Sequence, residues 1–210
     1  MSSLVDLTET GMANGALAHI GEPPISSLDD TKRAAARHCK RFFAEIRDEL
    51  LRERDWEFAR NSCVPSALPS PPNSAWSFRY VMPSDCIAVL SIGDDPDCEP
   101  AWESPSTGDD TTVAKMLDTD EVAPLVWYTR RLTNPAQWDQ LFARLFKLAL
   151  AAKVNPLIGR DKSLTAGLVT MAKGGIDDAG KRDAQQKSGQ TISRSTSWVK
   201  ARFGVTSWRN

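Results

Sequence analysis

The sequence predicts a mainly helical α+β fold: an antiparallel helical bundle with a small antiparallel β insertion and an extended C-terminal arm. Three observations carry this. The apolar residues from Ala35 to Leu50 recur at helical spacing, change to alternation beyond Trp56, and return to helical spacing at Asn134. Four prolines, at 65, 69, 71 and 72, mark the first change. Residues 188–210 place large aromatics among Gly, Ser and Thr spacers and cannot build a core alone. The expected organisation is therefore a bundle from 1–59 and 134–187, a β-rich insertion over 60–133, and an arm over 188–210.

The first helix is expected over 4–20, with Leu4, Leu7, Met12, Ala16, Leu17 and Ile20 facing the core. Gly21-Glu22-Pro23-Pro24 ends it. Ser26 and Ser27 ahead of Asp29 and Asp30 read as an N-cap with acids in the first turn, which predicts a second helix from about 28 to 55. Its stripe is Ala35, Cys39, Phe42, Ile46 and Leu50, widened by Phe43 and Leu51. On the other face, Arg41 with Glu45 and Asp48 with Arg52 stand at pairing distance, each pair worth only about 0.3–0.5 kcal/mol. Burial of each large apolar residue contributes about 1.5–3 kcal/mol, so the stripe decides how this helix packs.

Residues 60–75 read as a loop or edge segment. Strands follow at 76–82 and 86–92, with two more at 111–117 and 124–132. Asn134 as N-cap, Pro135 at the first helical position and Gln137 at the third predict a helix whose stripe is Trp138, Leu141, Phe142, Leu145, Leu148, Ala149 and Ala152. A last helix is expected over 161–187 with a weak stripe of Leu164, Leu168, Met171 and Ile176, and Gly174-Gly175 as a possible break.

Net charge is −1, so no global field favours nucleic acid or membrane. The charge is unevenly spread: residues 94–121 hold ten acids and one lysine, while 188–210 hold Arg194, Lys200, Arg202 and Arg209 and no acid. No run of about 18 apolar residues exists to span a membrane, and the first residues lack the basic and apolar regions of a signal peptide. The cysteines, at 39, 63, 86 and 98, form no C-x-x-C pair, and with only His19 and His38 beside them they predict reduced thiols and no zinc site.

Phosphate-binding glycine loops, H-E-x-x-H and G-x-S-x-G are missing. Asp94-Asp95 and Asp109-Asp110 lie in Pro/Gly/Ser-rich turns and read as solvated acids. His38 and Cys39 are adjacent on a helix and so point about 100° apart, which does not suit a nucleophile–base pair. No catalytic residue, cofactor or metal is expected. The arm offers an interaction surface instead: Arg194, Trp198, Lys200, Arg202, Phe203, Trp208 and Arg209 interleave cations with aromatics.

A resemblance sharpens this reading. Ala16-Leu17-Ala18-His19-Ile20-Gly21-Glu22 is followed by Ile25-Ser26-Ser27-Leu28-Asp29-Asp30. Arg47-Asp48-Glu49-Leu50-Leu51-Arg52 then closes on Trp56-Glu57-Phe58-Ala59. Tyr80-Val81-Met82-Pro83-Ser84-Asp85-Cys86 is similar to a Y-x-L-P-x-D-C strand and turn, with Met82 in place of Leu. Tyr128-Thr129-Arg130-Arg131 and Asn134-Pro135-Ala136-Gln137-Trp138-Asp139 complete the series. In this order the motifs resemble the head-to-tail adaptor (connector) proteins of tailed phages, including the tail tubular protein A family of short-tailed phages, over about residues 13–175. The specificity lies in the order, because each motif is short.

The resemblance implies a structural virion protein made in the host cytoplasm and placed at the head–tail junction. Such proteins form a homo-oligomeric ring, usually a dodecamer, beneath the portal protein. They extend the DNA ejection channel and offer a platform to a downstream tail or nozzle protein, and DNA passes without sequence-specific binding. The charged helix face of Arg41, Glu45, Asp48 and Arg52 then becomes a candidate ring contact, and the arm a candidate portal-docking segment. Two alternatives compete. A virion-associated hydrolase would use loop carboxylates held about 5–9 Å apart on rigid elements. An independent DNA-binding module would show a basic stripe on one helix, whereas the helices here mix their charges.

Overall fold

A computed structural model describes residues 7–69, 76–93, 100–104, 115–158 and 162–190. The helices are α1 (Glu9–His19), α2 (Ala34–Glu53), α3 (Gln140–Val154) and α4 (Lys162–Gln190). Between α2 and α3 run seven strands: β1 (Arg60–Cys63), β2 (Ser66–Ala67), β3 (Phe78–Val81), β4 (Cys86–Ile92), β5 (Trp102–Glu103), β6 (Met116–Thr119) and β7 (Val126–Arg130). The α+β class holds, and all strand pairing is antiparallel.

Helix α3 is the element on which α1, α2 and α4 all pack. Its buried residues lie on more than one face, Phe142, Leu145, Phe146, Leu148, Leu150 and Ala151 among them, which is why one helix can serve three neighbours. Glu45 reaches Lys153 while Trp56 reaches Phe142, so α2 runs antiparallel to α3. Asn155 bonds Thr165 at one end, and Arg54 beside the end of α2 reaches Ile176 further along α4, so the chain reverses again into α4.

Several expected boundaries move. Helix α1 begins at Glu9, capped by Thr8, whose hydroxyl accepts from Gly11 N at 3.0 Å. Helix α2 begins at Ala34 and not at 28. Ser27 and Asp30 each accept a backbone N–H two residues on, from Asp29 and Lys32, so these side chains make tight turns and not a helix cap. The segment is tied to α1 instead: Asn14 exchanges two hydrogen bonds with the Ile25 backbone, at 2.7 and 3.0 Å, and Ile25 and Leu28 join the core. Asn134 does cap, but only a 3-10 turn at Pro135–Gln137; Asp139 caps α3 itself.

Gly174-Gly175 does not break α4, which continues to Gln190 and takes in the first three residues assigned to the arm. The weak stripe is also corrected. Leu168 and Ala172 are buried and Ile176 packs beside them, whereas Leu164 and Met171 face outward. Gly175 lies so close to Leu145 that an added Cβ would stand 2.4 Å from Cδ2, so this glycine permits close helix approach.

The strands form two sheets, ordered β1-β7-β4 and β2-β3-β6-β5. The segment after Trp56 supplies β1 and β2, the edge strand of each. Tyr80 and Leu117 of the second sheet share a core with Cys86, Ile92, Val126 and Tyr128 of the first. The neighbouring Ile87 belongs to the helical core. The first sheet therefore lies between the helices and the second sheet, and β4, with its register shifts at 86–88 and 89–91, gives Ile87 and Ala88 to the helical core and Cys86, Val89 and Ile92 to the other.

The chain crosses between helices and strands at two places, and each carries the same device. Trp56 Nε1–H donates to Leu50 O at 2.7 Å, and Trp138 Nε1–H donates to Leu132 O at 2.9 Å, in both cases six residues back. Both rings are buried and both meet Phe142 edge-on, at 5.3 and 5.1 Å between centroids. Phe58, Phe43 and Phe146 complete the cluster. The Trp-Glu-Phe-Ala sequence after α2 is thus one half of the aromatic joint between the two parts of the molecule.

Candidate functional site

The charged face of α2 was expected to pair within itself; the structure pairs it with other elements. Glu45 bonds Lys153 of α3 at 3.2 Å. Asp48 takes Arg47 Nε at 2.8 Å on one oxygen and Arg131 Nε, beyond β7, at 3.0 Å on the other. Arg41 lies over the Phe42 ring at 5.4 Å, with the Lys153 ammonium at 5.5 Å from the same centroid. Arg41–Glu45 and Asp48–Arg52 ion pairs are not among those formed by the described residues, because better-placed cations on α3 and after β7 take the carboxylates. Asp48 with its two arginines fastens α2 to the end of β7. What stays open is a shallow groove bounded by Glu45, Glu49, Arg52 and Glu53, more acidic than the sequence pairing suggested.

The arm residues Arg194, Trp198, Lys200, Arg202, Phe203, Trp208 and Arg209 lie outside the described residues, as do Asp94-Asp95 and Asp109-Asp110. Of the acids described in the same region, Glu103, Asp118 and Asp120 have structural partners, Glu103 accepting from Trp76 Nε1–H at 3.0 Å. Asp118, 1% exposed, takes two bonds from Arg79 at 2.7 Å each. Asp120 accepts from the Ser77 N–H and hydroxyl, which hold its carboxyl below the usual range. The Arg79 guanidinium is held above its ordinary value by the bond to Asp118.

The thiols are equally committed to structure. Burial pushes Cys39 and Cys86 up to about 11, and Cys63 also upward, so thiolate chemistry is suppressed at all three. Among the described residues no His/Cys/Asp/Glu group is arranged to hold a metal, and no helix is long and apolar enough to cross a membrane.

Two features escaped the sequence reading. The first is the turn between β6 and β7. The Tyr80 hydroxyl, reaching out from the buried end of its ring, donates to Glu121 O at 2.8 Å and accepts from Ala123 N at 3.0 Å. Ala123 has φ of 51°, an uncommon left-handed conformation for alanine, and the clamped turn lifts Val122 to 74% exposure. The second is a groove of about 240 Å³ between α3 and α4, opened where Gly174 offers no side chain. A Gly-Gly pair inside a helix was its only sequence signal.

Both features are built on a joint that ties a helical layer to stacked sheets. The tail tubular protein family matches the chain over residues 12–116, which is 105 of 210 residues. The chain belongs to the tail tubular protein family. The matched span runs from within α1 to the start of β6, and it holds the Trp56 half of the aromatic joint and Tyr80, while the turn that Tyr80 clamps lies beyond it. No curated protein matches the chain. Membership makes the protein a structural component of a phage tail and places it in the virion.

Proposed function

We propose that this tail tubular protein is the head-to-tail adaptor: a homo-oligomeric ring, dodecameric in the usual form, that joins the portal to the tail and extends the DNA ejection channel. The observation that carries the reading is the family match over 12–116, together with the ordered adaptor motifs that continue past it through Asn134–Asp139. A rigid joint between helices and sheets suits a part that must keep its shape while bearing a tail. In this reading Arg41, Glu45, Asp48 and Arg52 lie along a ring contact, where charges set register more than affinity. Residues 188–210 dock on the portal through Trp198, Phe203 and Trp208, with Arg194, Lys200, Arg202 and Arg209 meeting acids of that partner. A nozzle or other tail protein binds below. The near-neutral chain lets duplex DNA slide through without being read.

The test is a mass measurement on the protein mixed with its portal. One ring per portal is expected, and a chain ending at 187 should keep its helical content while joining the portal more weakly. Absence of any complex with the portal would refute the adaptor role. Full attachment by the truncated chain would refute the arm alone.

A further inference from the structure

We propose that neighbouring copies join head to tail, with Val122 of one copy seated in the α3–α4 groove of the next and Glu121 facing Arg144. This deepens the ring reading above and rests on it.

The turn is built to present its tip. Val122 is 74% exposed, the most exposed large apolar residue among those described. A solvent-exposed valine gains nothing from being held still, yet three devices hold it. The Tyr80 hydroxyl grips the backbone on both sides of it, at Glu121 and Ala123. Ser77 grips Asp120 twice. Ala123 is kept in a left-handed conformation that L side chains rarely adopt. Fixing a tip beforehand lowers the ordering cost of binding.

The groove has the complementary character. Leu141, Leu145, Leu148 and Met171 line it, and Met171 remains 53% exposed. Gly174, where an added Cβ would meet nothing within 4 Å, leaves room for a branched aliphatic side chain. At its rim stand Asp178 and Arg144, and Arg144 makes no ion pair among the described residues. The tip brings the carboxylate of Glu121 beside Val122, so an apolar knob with an acid meets an apolar slot with the Arg144 guanidinium at its rim. Knob and slot are different patches of one molecule. Contacts of that kind are heterologous, and they close into rings when the rotation between copies allows.

Sedimentation velocity on the full chain over a range of concentrations tests this, with circular dichroism confirming the fold of each variant. The wild type should associate. Val122→Asp and Glu121→Lys should each weaken association by roughly tenfold or more, the loss expected at an interface anchor. Arg144→Glu should do the same alone, and the double variant Glu121→Lys with Arg144→Glu should recover most of the association. A ring that persists unchanged in Val122→Asp overturns this contact while leaving the ring reading intact, and so does a double variant no better than its singles. A wild-type chain that stays monomeric at every concentration overturns the contact, and the ring reading then stands or falls on the complex with the portal.

Discussion

Phe142 and Asp118 are both almost completely buried, one in the helical layer and one in the strands. Phe142 is surrounded by Trp56, Phe58 and Trp138, all aromatic. Asp118 is held by a bidentate arginine. The contrast runs through both regions. The helical core draws on α1 to α4 and includes nearly every large buried residue of those helices. The strand core is a handful of residues, and polar side chains pin its borders: Arg79 on Asp118, Thr119 on Ala101 O, Asn61 on Tyr128, Tyr80 on the 120–123 turn. A thick layer can be stabilised by burial alone. A thin one buries too little apolar surface and needs directional bonds to fix its register.

Substitutions can break this comparison. The largest effect is expected for Phe142→Ala. Loss of a fully buried phenyl should cost about 3–5 kcal/mol in urea unfolding, a large part of a domain's stability. A loss below about 1 kcal/mol would mean that the aromatic joint is not the centre of the helical core.

Next comes Arg79→Leu, which leaves the Asp118 carboxylate buried without its cation. The expected loss is about 3 kcal/mol, and replacing Asp118 by leucine as well should recover much of it. If the single variant is neutral, the polar pinning of the strand layer is not what stabilises it.

A smaller, paired test lies on α4. Gly174 has open space where a Cβ would stand, so Gly174→Ala should raise stability by up to about 1 kcal/mol through helix propensity. Gly175→Ala would push on Leu145 and should lose about 1–2 kcal/mol, the overpacking cost exceeding the propensity gain. Equal effects at both positions would remove the close approach of α3 and α4 from the account.

The smallest effect concerns His19. Partial desolvation of this largely exposed ring, with Lys147 and Arg144 adding to it, lowers its pKa below the ordinary 6.5. The unfolded chain then binds the proton more readily than the folded one. Stability from this group is therefore fully present above about pH 6.5 and declines as pH falls through the folded value. His19→Gln should flatten that slope in urea midpoints measured from pH 7 to 5, leaving Phe142→Ala as damaging as before.

Much of the helical layer was legible because helical spacing is written locally. The stripe of α2, the α3 stripe from Trp138 to Ala152 and the position of β4 all stand where the apolar pattern puts them. The start of α2 was misread because Ser27 and Asp30 suit a turn as well as a cap, and a short-range pattern does not separate the two. The charged face of α2 was misread for a different reason. Pairing at helical spacing assumes an isolated helix, and here Lys153 and Arg131 arrive from distant sequence.

By itself the sequence determined that four segments are helical and that strands lie between the second and the third, because each is a matter of neighbours within a few positions. Only the tertiary structure decided that Trp56 and Trp138 meet on Phe142, that Tyr80 clamps a turn some forty residues away, and that Gly175 lets α4 approach Leu145 closely and leaves its helix unbroken. Those are meetings of distant segments. Their energies depend on which surfaces come together, and no local period encodes that.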